Sequence, residues 1–187
     1  YALHEPEVDC ISKGKARVRY EFGTKVSVAT THREGFVVGM RAMACNPYDG
    51  HTLREALEQV EILTDTRPRR AFVDRGYRGH GVETADVFIS GQRRGMTPAL
   101  RRDLRRRSAI EPMIGHMKTD GRLARCPLKG TLGDALHAVL CGCGHNIRLI
   151  LAHLRALMTE ILRLLLRAIA AHTPARSATE PPIALAA

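Results

Sequence analysis

Two carboxylates, Asp74 and Glu111, stand among the basic runs 67–70, 93–94 and 101–107. Acids set among guanidinium groups suit a hard divalent cation on a phosphate, with oxygen donors for the metal and arginines for the phosphate charge. Asp74 follows the apolar Ala71-Phe72-Val73 and precedes Arg75-Gly76, so it projects from the C-terminal end of a short buried strand. That edge is where open α/β sheets place ligands. Gly76 lets the backbone turn there and leaves space for a metal or phosphate. An Asp after a strand is also a common turn residue or cap. On a helix, Arg107 and Lys118 share the face of Glu111, because i−4 and i+7 are close to whole turns. The face then reads cation, carboxylate, cation. Metals held by such acids activate an attacking oxygen and stabilise the leaving one in an in-line phosphoryl displacement. A structural reading competes: Ser108 to Glu111 has capping-box spacing, and Pro112 implies either a helix start or a kink beside Glu111.

Other reactive types nearby carry weaker signals. His116 lies off the Glu111 face by about 140° on a wheel of 100° per residue, which suits a supporting or DNA-contacting role rather than metal ligation. Arg75, next to Asp74, is a further cation that could meet a nucleic-acid phosphate. Asp49 heads Asp-Gly-His-Thr and is expected to cap the helix beginning there. Cys141-Gly-Cys-Gly-His145 lacks a second ligand cluster and the usual zinc spacing, so packing is expected there.

These residues need elements to position them. Residues 20–31 alternate apolar and polar side chains and predict a strand, returned through a turn at Arg33-Glu34-Gly35 by a strand over 36–44. Apolar spacing predicts a helix from about 52 to 63, then strands over 70–74 and 86–90. From Thr97 onward the pattern is helical, with Gly142 and Gly144 marking a break or a close helix contact. Residues 173–187 read as a disordered tail. The order implies an α/β layered domain with helices on a mixed sheet.

Composition narrows the partner. The 187 residues carry a formal net charge of +10 and no Trp, with only 4% aromatic residues. Such a balance favours a polyanion held by phosphate tracking rather than by base stacking. No segment approaches the roughly 20 apolar residues of a membrane span, so no membrane partner is expected. Five cysteines without framework spacing suggest a reducing compartment, and the localisation expected is cytoplasmic, on the nucleoid when DNA is bound.

Arg107, Glu111 and Lys118 fit R-(3)-E-(6)-K, the core of the Y-(2)-R-(3)-E-(6)-K signature of many insertion-sequence transposases. Together with Asn46-Pro-Tyr-Asp-Gly-His-Thr-Leu53, Val73-Asp-Arg-Gly-Tyr-Arg-Gly79, Ile110-Glu-Pro-Met-Ile-Gly-His-Met-Lys118 and Gly144-His-Asn-Ile-Arg148, the sequence resembles DDE transposases of the insertion-sequence five family over about residues 1–157. Leu104 stands where the signature has Tyr. The resemblance implies a ribonuclease H-like mixed sheet with flanking helices, incomplete at the N-terminus, plus C-terminal helices. Residues 1–126 would be the C-terminal portion of the catalytic domain and 127–172 a helical extension. It implies three acids binding two Mg2+ ions, with Mn2+ able to substitute. Asp74 would be the second acid and Glu111 the third, with Arg107 and Lys118 on the DNA. The first acid is expected on a strand ahead of Tyr1, since the residues around Asp9 resemble the family segment downstream of that acid. The implied activity is cleavage and transfer of double-stranded DNA at terminal inverted repeats, by a homodimer assembled on DNA. The alternatives are a truncated, inactive DNA-binding remnant and a metal-dependent nuclease.

Overall fold

Alternation and turn chemistry lay out the first half of the chain, and helical periodicity lays out the second. The computed structural model describes residues 8–12 and 19–172, so the expected tail at 173–187 lies outside the described residues. The chain divides into two units, Tyr1–Leu149 and Ile150–Ala187.

In the first unit, β1 (Asp9–Ser12) pairs antiparallel with β2 (Tyr20–Gly23), and β3 (Lys25–Thr30) pairs antiparallel with β4 (Val37–Met43). The single strand expected over 20–31 is therefore two. Gly23, at φ 146°, takes a conformation that other residues rarely adopt and redirects the chain between the two ladders. Helix α1 (Asp49–Thr64) comes next and lays Leu53, Ala56 and Val60 against the β3–β4 hairpin. Then β5 (Arg70–Val73) pairs in parallel with β6 (Asp86–Ile89). Phe72 stacks on Phe88 across this pair at 5.3 Å and on His32 at 4.7 Å.

The mixed α/β class is as expected, but among the described residues the six strands hydrogen-bond as three pairs rather than as one sheet. A groove of about 920 Å³ lies between β3 and β5, lined by Val26 to Thr31 on one side and Arg70 to Asp74 on the other. Burial shows the same gap. β4 carries the buried Met40 and Met43, whereas no residue of β3 or β5 is fully buried despite their apolar side chains.

Helix α2 (Pro98–Arg106) starts on a Thr97 cap, whose hydroxyl accepts from the Leu100 amide at 3.2 Å, with Pro98 in the first turn where its missing N–H costs nothing. A 3-10 turn at Arg107–Ala109 leads straight into α3 (Ile110–Thr119). The capping-box expectation fails here. Ser108 donates its hydroxyl to the Arg105 carbonyl at 2.8 Å, and no side chain caps α3. Residues 106–110 stay right-handed helical, so no extended residue is available to act as a cap. Pro112 sits in the first turn of α3, where amides lack partners in any case.

Helix α4 (Gly130–His172) runs unbroken through Gly142 and Gly144. Gly142 marks a close contact instead, since an added Cβ would stand 3.0 Å from Met40 Sδ and 3.1 Å from Val37 Cγ1. Met40, Met117, Ala138 and Cys141 form the buried centre, with Val26, Val28 and Met113 against it. The Cys-Gly-Cys-Gly-His segment is docking surface. Cys141 donates its thiol to the Gly121 carbonyl at 3.1 Å, and a His145 ring nitrogen lies 3.1 Å from the Gly35 carbonyl. Asn146 pairs with both backbone groups of Val37 at 2.8 Å, occupying that end of β4 as a strand would.

Candidate functional site

The end of β5 delivers Asp74, and the start of α3 delivers Glu111. Asp74 caps the 3-10 turn at Arg75–Tyr77, with Oδ1 accepting from the Gly76 amide at 3.0 Å. Its Oδ2 lies 4.0 Å from Arg107 Nη1, while Arg107 Nη2 donates to Glu111 Oε1 at 3.4 Å. One guanidinium thus ties together two acids that are distant in sequence. The Arg107 side chain is only 17% exposed, while the carboxylates of Asp74 and Glu111 are 59% and 68% exposed. The cation sits at the base of the site and the acids face water, held by long contacts that cost little to release.

The remaining expected residues are spread along α3 and the turns around the site. Lys118 lies two turns beyond Glu111, about 10 Å along the axis at 1.5 Å per residue. Its ammonium is 3.7 Å from the carboxylate of Glu21 on β2. His116 is exposed and pairs with Asp120 at 3.1 Å. That bond, with a second from Thr119, holds the Asp120 carboxyl below its usual range. The Arg75 guanidinium lies over Gly91, in the turn after β6. The structure therefore joins Asp74, Arg107 and Glu111 directly, and gives Lys118, His116 and Arg75 separate partners.

Asp49 was expected to cap α1, and it does not. Tyr48 occupies the cap position without a side-chain bond, and Asp49 is the first helical residue. Its carboxylate instead meets Lys25 Nζ at 2.6 Å and packs against Gly76, where an added Cβ would collide with it. The space that Gly76 leaves is filled by protein. Tyr77, in the same turn, is raised above the usual phenol range, chiefly by burial and then by the Asp49 charge, with Asp74 adding less. Sequence reasoning missed the Lys25–Asp49–Tyr77 group. The glycine after Asp74-Arg75 was the available signal, because a residue without Cβ implies close approach as readily as a turn.

The model of the transposase DDE domain family matches residues 7–147, most of the chain and all of the site. The chain belongs to the transposase DDE-domain family. No curated protein and no solved structure gives a significant match. Members of this family normally use divalent metals and act on DNA, so the fit of such an ion to these residues can be tested. Among the described residues, no group of three or more His, Cys, Asp or Glu gathers where one ion could be held. Asp74 and Glu111 are suitable oxygen donors, but the Arg107 guanidinium between them already offsets half of their charge. The residues present do not by themselves fit a two-ion site. Nor is any described helix long and apolar enough to cross a membrane.

Proposed function

We propose that this chain is part of an insertion-sequence transposase of the insertion-sequence five type, which cuts and joins double-stranded DNA at terminal inverted repeats. The observation that carries the reading is the shared guanidinium of Arg107, which brings a strand-end Asp and a helix Glu to one place inside a family-matched DDE domain. Cations flank that place: Arg33, Arg70 and Arg106 line the adjoining groove together with Arg107. In this reading the DNA backbone runs over these groups, and phosphate oxygens take guanidinium hydrogen bonds in the bidentate manner arginine favours. Arg107, Lys118, Arg75 and His116 contact the element end. The protein holds the scissile phosphate and excludes alternative registers through phosphate contacts rather than base contacts.

The finer elements of the reading are a ribonuclease H-like layer, Mg2+ as the ion, with Mn2+ able to substitute, and a homodimer assembled on DNA. The groove between β3 and β5 supports the first of these. Among the described residues each of these strands pairs on one side only, and the groove they line has largely apolar walls. A strand placed there would join the β3–β4 and β5–β6 pairs into one mixed sheet. It would also carry a first acid toward Asp74. A third carboxylate is what the Asp74–Glu111 pair needs to become a full ion site.

A second reading, an inactive DNA-binding remnant, draws on the same Arg107, since a guanidinium between two acids is a stable end state without metal. The test is to incubate the gene product carrying residues 1–187 with an inverted-repeat duplex and Mg2+ or Mn2+. Nicking that Asp74→Ala or Glu111→Ala abolishes is the expected result. Tight binding by the wild type without any nicking would establish the remnant instead.

A further inference from the structure

Residues 150–172 of α4 are helical throughout, and every one of them is exposed. The surface they show is not one suited to water: on one face Leu154, Leu157, Ile161, Leu164 and Leu165 are each between 41% and 56% exposed. Contiguous apolar surface of that kind marks an interaction site. A helix of this length also gains most of its stability in water by packing an apolar face.

The spacing identifies the partner. Ile150, Leu154, Leu157, Ile161, Leu164 and Ala168 succeed one another at intervals of four and three residues, the heptad rhythm of a helix pair. The two flanks of this seam differ. On one side stand Leu151, Met158 and Leu165; on the other stand Glu160 and Arg167. Two parallel copies would set each flank against the opposite one, leaving Glu160 beside a leucine. Two antiparallel copies set like flank against like. Ile161 then meets Leu164 of the second copy, Leu157 meets Ala168, and Met158 meets Leu165. Glu160 meets Arg167 twice, once in each direction, and opposite charges at flanking positions set partner and orientation.

We propose that residues 150–172 are a self-association helix, pairing antiparallel with the same segment of a second copy of this chain. The exposed Glu160–Arg163 contact within the helix, at 3.3 Å, is the kind of surface pair that gives way readily to a better one. The proposal is independent of the transposase reading, and a failed nicking assay leaves it untouched.

Sedimentation equilibrium of Tyr1–Ala187 without DNA should give a dimer. Ile161→Lys should raise the dimer dissociation constant about a hundredfold or more, since it drives a charge into the seam. Because Ile161 is exposed and no part of the first unit's buried centre, circular dichroism should show the remaining fold intact. Glu160→Arg should weaken the dimer about tenfold, and adding Arg167→Glu in the same chain should restore it. A chain that stays monomeric, a dimer indifferent to Ile161→Lys, or a charge reversal without rescue would each overturn the proposal. So would a monomer that uses this helix to bind vesicles of anionic phospholipid.

Discussion

Asp74 and Asp49 lie on either side of one short turn, and the protein treats them differently. Asp49 makes a 2.6 Å ion pair with Lys25, fills the space at Gly76 and is 36% exposed. Asp74 is 59% exposed, and its carboxylate reaches Arg107 only at 4.0 Å, with a single hydrogen bond to its own turn. One acid is built in, and the other, in the proposed function, is held ready. Glu111, at 68% exposed and 3.4 Å from Arg107, resembles Asp74 in this respect. A structural carboxylate is held by short contacts and packing, whereas an acid that must accept a ligand keeps its oxygens in water and its ties weak.

The contrast can be broken first at Gly76. Gly76→Ala should destabilise the fold by about 1–3 kcal/mol, because the new methyl meets the Asp49 carboxylate. The same change in an Asp49→Ala background should cost clearly less, and equal costs by denaturant unfolding would refute the packing. Asp49→Ala alone should cost about 1 kcal/mol, a value held down by the exposure of the pair. Asp74→Ala and Glu111→Ala should stay within about 0.5 kcal/mol of the wild type.

Smaller effects sharpen the same comparison. Arg107→Gln should lower the salt slope of DNA binding by about one unit, as one phosphate contact is lost, and an unchanged slope would remove Arg107 from the DNA surface. Tyr77 supplies a pH signature. Burial and the Asp49 charge raise its folded pKa above the unfolded value, so its share of stability is full below the ordinary phenol range and lost as pH rises through the raised value. Asp49→Ala should bring the Tyr77 titration down toward the ordinary range in a phenolate absorbance titration, read as the difference from Tyr77→Phe. No movement would disconnect the two residues.

Local rules made part of this legible. The end of β5 and its turn were readable because an apolar triplet leading into Asp-Arg-Gly leaves few conformations. The Arg107–Glu111 contact was readable because i−4 neighbours on a helix must meet. Lys118 shows the limit of that rule: spacing gives the helix face but not what opposes it, and Glu21 comes from a strand far upstream. The Ser108 cap failed because α2 passes into α3 without leaving helical geometry. Asp49 was misread because its partners, Lys25 and Gly76, meet it only after the hairpin and the β5 turn have packed. The β3–β4 hairpin was legible from its turn, but the separation into three pairs was not, since hydrophobic alternation says that residues form strands but not which edges find each other.

The most direct measurement sets Asp74→Asn beside Asp49→Asn in the gene product carrying residues 1–187. Each is scored for thermal stability and for metal-dependent nicking of an inverted-repeat duplex per folded molecule. Asp74→Asn should leave stability unchanged and reduce nicking at least about a thousandfold, while Asp49→Asn should lower stability and preserve nicking. Nicking that survives Asp74→Asn, or that is lost only with Asp49→Asn, would contradict the division between a ready acid and a built-in one.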